Sequence, residues 1–183
     1  MTKKKIFKYG SEVLRRKSTP VKKFDKRVAK LAEDMIQTMY IASGVGLAAP
    51  QIGVNQRIIV VDTEYNSERY ENEKPAKARN PLVMINPEIT YMEGEMESFE
   101  GCLSFPEVFF NVTRAKKIKF KFQDLKGVEH EMSAEEDLFC RCIQHEIDHL
   151  NGQLFIDIAE DKVIARSELD EHGFANVNSQ PLA

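Results

Sequence analysis

The sequence predicts an α+β fold: one domain in which antiparallel or mixed sheets pack around a helix in the C-terminal half. Three observations carry this. Two stretches have apolar residues at helical spacing, the segments between them read as strands, and the strands are joined by hairpin signals rather than by crossover helices. With 183 residues the chain is close to one ordinary domain and long enough to bury a core without staples.

Residues 25 to about 42 form the first predicted helix, with Val28, Leu31, Ala32, Met35, Ile36 and Met39 on one face and Asp25 as N-cap. Gly44 and Gly46 then break the pattern and open the loop GVGLAAPQ, where they are expected to take unusual φ values and to admit a close backbone approach. RIIVVD, Arg57 to Asp62, is an apolar β-branched run and reads as a buried strand. The charge-dense stretch 63–80 has almost no apolar period and reads as a solvated loop or insertion. Residues 82–99 read as strands interrupted at Pro87 and Gly94. Ile118, Phe120 and Phe122 alternate with Lys117, Lys119 and Lys121, the pattern of a half-buried strand, and Lys126-Gly127 suits a hairpin into Val128–Met132. Ser133 with Glu136 reads as a capping box that starts the second helix. Leu138, Cys142, Ile143, Ile147 and Leu150 supply its stripe, and Asn151-Gly152 stops it.

Composition narrows the function. The 26 Lys and Arg against 29 Asp and Glu leave a net charge of −3, which argues against bulk electrostatic binding to nucleic acid or to an anionic membrane. No apolar run approaches the ~20 residues needed to span a bilayer. MTKKKIFKYG is basic but lacks an apolar h-region, so it does not read as a secretory signal. Three cysteines, Cys102, Cys140 and Cys142, show no disulfide-like spacing and suggest a reducing compartment, with cytoplasm the expectation.

The second helix contains QHEIDH. His145 and His149 lie four apart on one helical face, able to grip one metal ion, and Glu146 beside them can reach a bound water. A third ligand must come from elsewhere. The third-His position of the metzincin pattern holds Phe155, which removes that reading, while Glu168 leaves a zinc peptidase open. Cys102, in EGCLS between strands, is the other candidate. Cys140 and Cys142 point to different sides of the helix, and Cys142 reads first as a small packing residue.

GVGLAAPQ at 44–51, EGCLS at 100–104 and QHEIDH at 144–149, in this order, resemble the three signature motifs of the peptide deformylases, and Asn86-Pro87 and LNGQLFID agree. The resemblance covers roughly residues 5–160, so that 1–160 read as the catalytic domain and 161–183 as a C-terminal helix or tail extension. It implies a hydrolase that removes the formyl group from the N-terminal formyl-methionine of newly synthesised proteins and releases formate. By the same resemblance Cys102, His145 and His149 hold one divalent metal, with Fe(II) the physiological ion and Zn, Ni or Co also suited to the same three donors. A thiolate and two neutral imidazoles leave a divalent ion with net charge +1, enough to acidify water toward a pKa of ~7. Glu146 would accept the water proton and deliver it to the departing amine. Gln51 and the backbone N–H of Leu103 would donate to the oxyanion, and Gly46 would meet the substrate main chain. Val45, Leu138 and Cys142 are candidates for the methionine pocket, with plain core as their alternative.

Two departures and one pairing follow. Arg141 stands where family members commonly carry an apolar pocket residue. DKVIARSELDEHGF is net negative where some bacterial members end in a basic ribosome-docking helix, so only a transient ribosome encounter through nascent chains is implied. Arg114 is expected to pair with Glu100 or Asp148 and to fix the Cys102 segment against the helix. Besides the peptidase, a metal-stabilised binding module without turnover competes, but it would need neither Gln51 nor Glu146.

Overall fold

The computed structural model describes residues 3–64, 79–159 and 164–165. Helix α1, Lys26–Ile41, starts where predicted: the Asp25 carboxylate accepts from the Arg27 and Val28 N–H groups at 2.9 and 3.3 Å. Strands β1 (Gly46–Ala48), β2 (Ile58–Val61) and β3 (Leu82–Glu93) follow. After them come β4 (Met96–Cys102), β5 (Phe105–Arg114), β6 (Lys117–Gln123) and β7 (Glu129–Glu135). Helix α2 is Leu138–Leu150, and β8 is Ile164–Ala165. Short 3-10 turns cover Glu12–Arg15, Ala49–Ile52 and Phe155–Asp157.

The strands form a five-stranded sheet in the order β1-β2-β3-β6-β7 and a three-stranded sheet in the order β4-β5-β8. Every ladder between named strands is antiparallel. The α+β expectation therefore holds, on antiparallel sheets. The apolar run of β2 is continuous because both faces of its sheet are covered. Ile58 and Val60 pack with Met35 and Met39 of α1, whereas Ile59 and Val61 pack with Ile143, Ile147 and Leu150 of α2. Helix α2 thus lies against the five-stranded sheet with its apolar stripe and meets the three-stranded sheet with its histidines. No helix among the described residues is long and apolar enough to cross a membrane.

Three expectations are corrected. Ser133 does not start α2: it pairs with Lys119 inside β7, and Asp137 caps the helix by accepting from Cys140 N–H at 2.7 Å. The Ser133/Glu136 spacing is overridden because β7 lies beside the lysine face of β6, where Lys117 meets Glu135 at 3.0 Å. Pro87 does not interrupt β3. It sits at a register shift between Ile85 and Glu88, a bulge that needs no ladder N–H, with Asn86 at φ 52° and its side chain bonded to both backbone groups of Val21. Gly44 and Gly46 do not take left-handed φ values; among the residues around them it is Ser43, at φ 57°, that does. Part of GVGLAAPQ is strand β1 rather than loop.

The loop expectation over 63–80 falls largely outside the described residues. So do Glu168 and the C-terminal tail, apart from the two residues of β8.

Candidate metal centre

Helix α2 presents His145 and His149 one turn apart, both buried, with ring centroids separated by 4.9 Å. Cys102 ends β4, where the ladder with β5 shifts register and the chain turns through Leu103 and Ser104. The turn brings the Cys102 Sγ to 3.2 Å from His149 Nε2. One donor atom from each of Cys102, His145 and His149 lies within 4.8 Å of the others, so the three could hold a single ion.

The buried polar atoms fit such a group. His145 Nδ1 faces the Glu100 carboxylate at 2.9 Å, which makes Nδ1 the donor and leaves Nε2 free. His145 Nε2, His149 Nδ1 and both carboxylate oxygens of Glu146 are buried with no hydrogen-bond partner among the described residues. Leaving several such atoms unpaired is costly unless the site takes a ligand that uses them. Burial pushes the Cys102 thiol up to about 12 and holds His149 well below its usual range, so the protein by itself presents a neutral imidazole and a protonated thiol. A divalent cation reverses the thiol's preference, since a coordinating thiol is deprotonated outright. One sulfur and two imidazoles suit Fe(II), Zn, Ni or Co and leave a coordination position open.

A second layer holds the ligands. Burial alone would raise the Glu100 carboxyl, but Arg114 and His145 outweigh it and hold it at about 2. Arg114, itself buried, donates through Nε and Nη2 to the two Glu100 oxygens at 2.5 and 2.8 Å and through Nη1 to Asp148 at 2.7 Å. Both pairings expected of Arg114 are present at once. The contact from Glu100 to His145 was not anticipated from sequence, although Glu100 opens EGCLS. It orients the ring and fixes its tautomer.

Glu146 is fully buried, and burial raises its carboxyl well above the ordinary range against the pull of Arg114. Gly46 packs directly on it: a Cβ at Gly46 would stand 2.5 Å from Glu146 Oε1 and 2.6 Å from Cys142 Sγ. The glycine is therefore needed for space, not for φ. Gln51 is also buried. Its Oε1 accepts from Ala48 N–H at 2.8 Å, which turns Nε2 toward Ser104 Oγ at 3.3 Å and Cys102 Sγ at 3.5 Å. Ser104, a second residue missed from sequence, stands in the same EGCLS motif.

Val45 and Cys142 are in contact within the core, the Cys142 Sγ lying 3.8 Å from the Val45 carbonyl. Leu138 is half-buried against the same cluster. Cys140 instead faces the carbonyls of Ala115 and Lys116 at 3.6 Å, on the other side of α2 as its spacing from Cys142 requires. Arg141 is half-buried.

The family model for polypeptide deformylases matches residues 3–163. A peptide deformylase of Prochlorococcus marinus (strain AS9601) is 45% identical over 170 residues, 92% of this chain and 80% of that protein. The crystal structure of the Thermotoga maritima peptide deformylase superposes with a TM-score of 0.77 at 41% identity, covering 88% of this chain and all of the other. A class I type b peptide deformylase from Acinetobacter baumannii with Met-Ala-Ser bound gives a TM-score of 0.77 at 35% identity over 86% of this chain and 98% of that one. The chain accordingly belongs to the peptide deformylase family, metal-dependent enzymes that remove the N-formyl group from the N-terminal methionine of nascent proteins.

Proposed function

We propose that Cys102, His145 and His149 hold one divalent ion and that Glu146, Gln51 and the backbone of Leu103 carry the deformylation chemistry. The observation behind this is the closeness of the three donor atoms, within 4.8 Å of one another, beside a buried Glu146 whose oxygens find no partner among the described residues. When bound, the ion supplies Lewis acidity and lowers the pKa of water toward neutrality. Glu146 takes the proton from the attacking water and returns it to the departing peptide amine, the two halves of general acid–base catalysis. Gln51 is held by Ala48 so that its amide N–H faces the site, and with the Leu103 N–H it receives the developing oxyanion.

Among the described residues strand β1 pairs with β2 along one side only, which leaves its other edge at Gly46 for an extended peptide main chain. Val45, Leu138 and Cys142 give the methionine side chain its apolar surroundings. That a solved relative carries Met-Ala-Ser supports a peptide of this kind as the occupant. The ion in the cell is Fe(II), with Zn, Ni and Co also compatible with the donor set. Residues 1–160 form the catalytic domain and 161–183 a C-terminal extension. The enzyme works in the cytoplasm on nascent peptides and meets the ribosome only transiently. It has no stable nucleic-acid or membrane partner.

Formate release from formyl-Met-Ala-Ser tests the activity. In cobalt-substituted protein a sulfur-to-metal charge-transfer band should be present and should vanish in Cys102→Ala. In Glu146→Gln the band should survive while kcat falls by about 10²–10⁴. A band that persists without Cys102 would remove the proposed ligand set.

A further inference from the structure

A cleft of about 490 Å³ is lined by Cys102 and Leu103, by Phe105 and Phe109 of β5 and by Ala42 and Ser43, just ahead of β1. Lys3, Lys4, Lys5 and Lys8 also line it, against one carboxylate among the described residues, Glu107. This is a local reversal of charge in a chain whose net charge is −3.

The lysines are not on a free tail. Lys4 N–H donates to Thr38 Oγ1 at 3.0 Å, Phe7 N–H to the Gln51 carbonyl at 2.7 Å and Tyr9 N–H to the Ser104 carbonyl at 2.9 Å. The Tyr9 ring lies 4.8 Å from that of Phe105, and Lys8 Nζ donates to the Leu103 carbonyl at 2.6 Å. The segment is thus a strap tied to α1 and to both loops that carry Gln51 and Cys102. Lys4 is partly neutralised by Asp34 at 3.1 Å, whereas Lys3 and Lys5 are exposed.

Because Cys102 and Leu103 line this cleft, we infer that a peptide whose formyl end reaches Cys102 leaves through it and that the Lys3–Lys8 strap makes the enzyme selective for formylated peptides with Asp or Glu in the residues that follow the methionine and its neighbour. The inference rests on the assignment of Cys102, His145 and His149 as the reacting centre. Exposed ammonium–carboxylate pairs act chiefly through encounter and binding and weaken in salt. The selectivity therefore belongs to KM more than to kcat.

The test compares C-terminally amidated formyl-Met-Ala-Asp-Asp, formyl-Met-Ala-Ser-Ser and formyl-Met-Ala-Lys-Lys on the metal-loaded enzyme. At low ionic strength the acidic peptide should exceed the neutral one by about threefold to tenfold in kcat/KM. The basic peptide should fall below both. The acidic preference should fade in about 0.5 M salt and in Lys3→Gln/Lys5→Gln, with the change in KM. Thermal melting checks that the double variant is folded. Equal rates on all three peptides would overturn the inference while leaving the deformylase assignment intact. Absence of formate from every peptide would overturn that assignment and this inference with it. If the double variant kept the peptide preference and lost affinity for ribosomal RNA, the lysines would belong to a nucleic-acid surface and the inference would be wrong.

Discussion

Arg114 spans two acidic groups on different elements, Glu100 of β4 and Asp148 of α2, and so ties the strand that bears Cys102 to the helix that bears the histidines. Its removal leaves a fully buried Glu100 with His145 as its one remaining hydrogen-bond partner among the described residues. Breaking a buried pair on one side typically costs about 3–5 kcal/mol, because the remaining charge stays desolvated. Arg114→Ala should therefore lower the melting temperature and weaken cobalt binding together. Unchanged melting and unchanged cobalt affinity would show that the pairing holds nothing in place. Gly46 is a different kind of single-residue constraint. A methyl group there would press on Glu146 Oε1 and Cys142 Sγ, so Gly46→Ala should displace the Glu146 carboxylate and depress kcat at modest cost in stability, about 1–3 kcal/mol for an overpacked site. Wild-type kcat in a folded Gly46→Ala protein would contradict that packing.

At the scale of the element, the start of α2 decides how the HExxH face is aimed. Asp137, not Ser133, satisfies the orphan N–H of Cys140, and the turn before it is made by Glu136 at φ 53°. Asp137→Ala should cost about 0.5–2 kcal/mol, the usual value of an N-cap. Ser133→Ala, in an exposed position of β7, should stay within about 0.5 kcal/mol. Denaturant midpoints of the two variants distinguish the caps, and a larger effect at Ser133 would reverse the assignment. The Ser133/Glu136 spacing is a purely local signal, and Asp137 is the cap the fold selects. The choice between them depends on Lys117 and Lys119 reaching β7 across a ladder that local spacing does not encode.

For the whole molecule, the candidate ligands join two layers. His145 and His149 ride on a helix packed against the five-stranded sheet, while Cys102 belongs to the hairpin of the three-stranded one. An ion bound by all three stabilises only the arrangement in which the layers are docked, so its binding free energy adds to folding. Chelation should lower the melting temperature and should speed amide hydrogen exchange in β4 and β5 before it does so in β2 and β3. Uniform loss of protection, or none, would mean that the ion does not bridge the layers.

The sequence by itself determined the α+β class, the apolar faces of α1 and α2, the HExxH pair and the three ordered motifs, because periodicity and short spacing are local properties of the chain. Tertiary structure alone decided what lies far apart in sequence. It seated Glu100 on His145, Ser104 beside Gln51 and the lysine strap at the mouth of the cleft, and it exchanged Ser133 for Asp137 as the cap. Those contacts arise where two sheets close on one helix, and burial there makes each polar group's partner a matter of packing rather than of sequence neighbours.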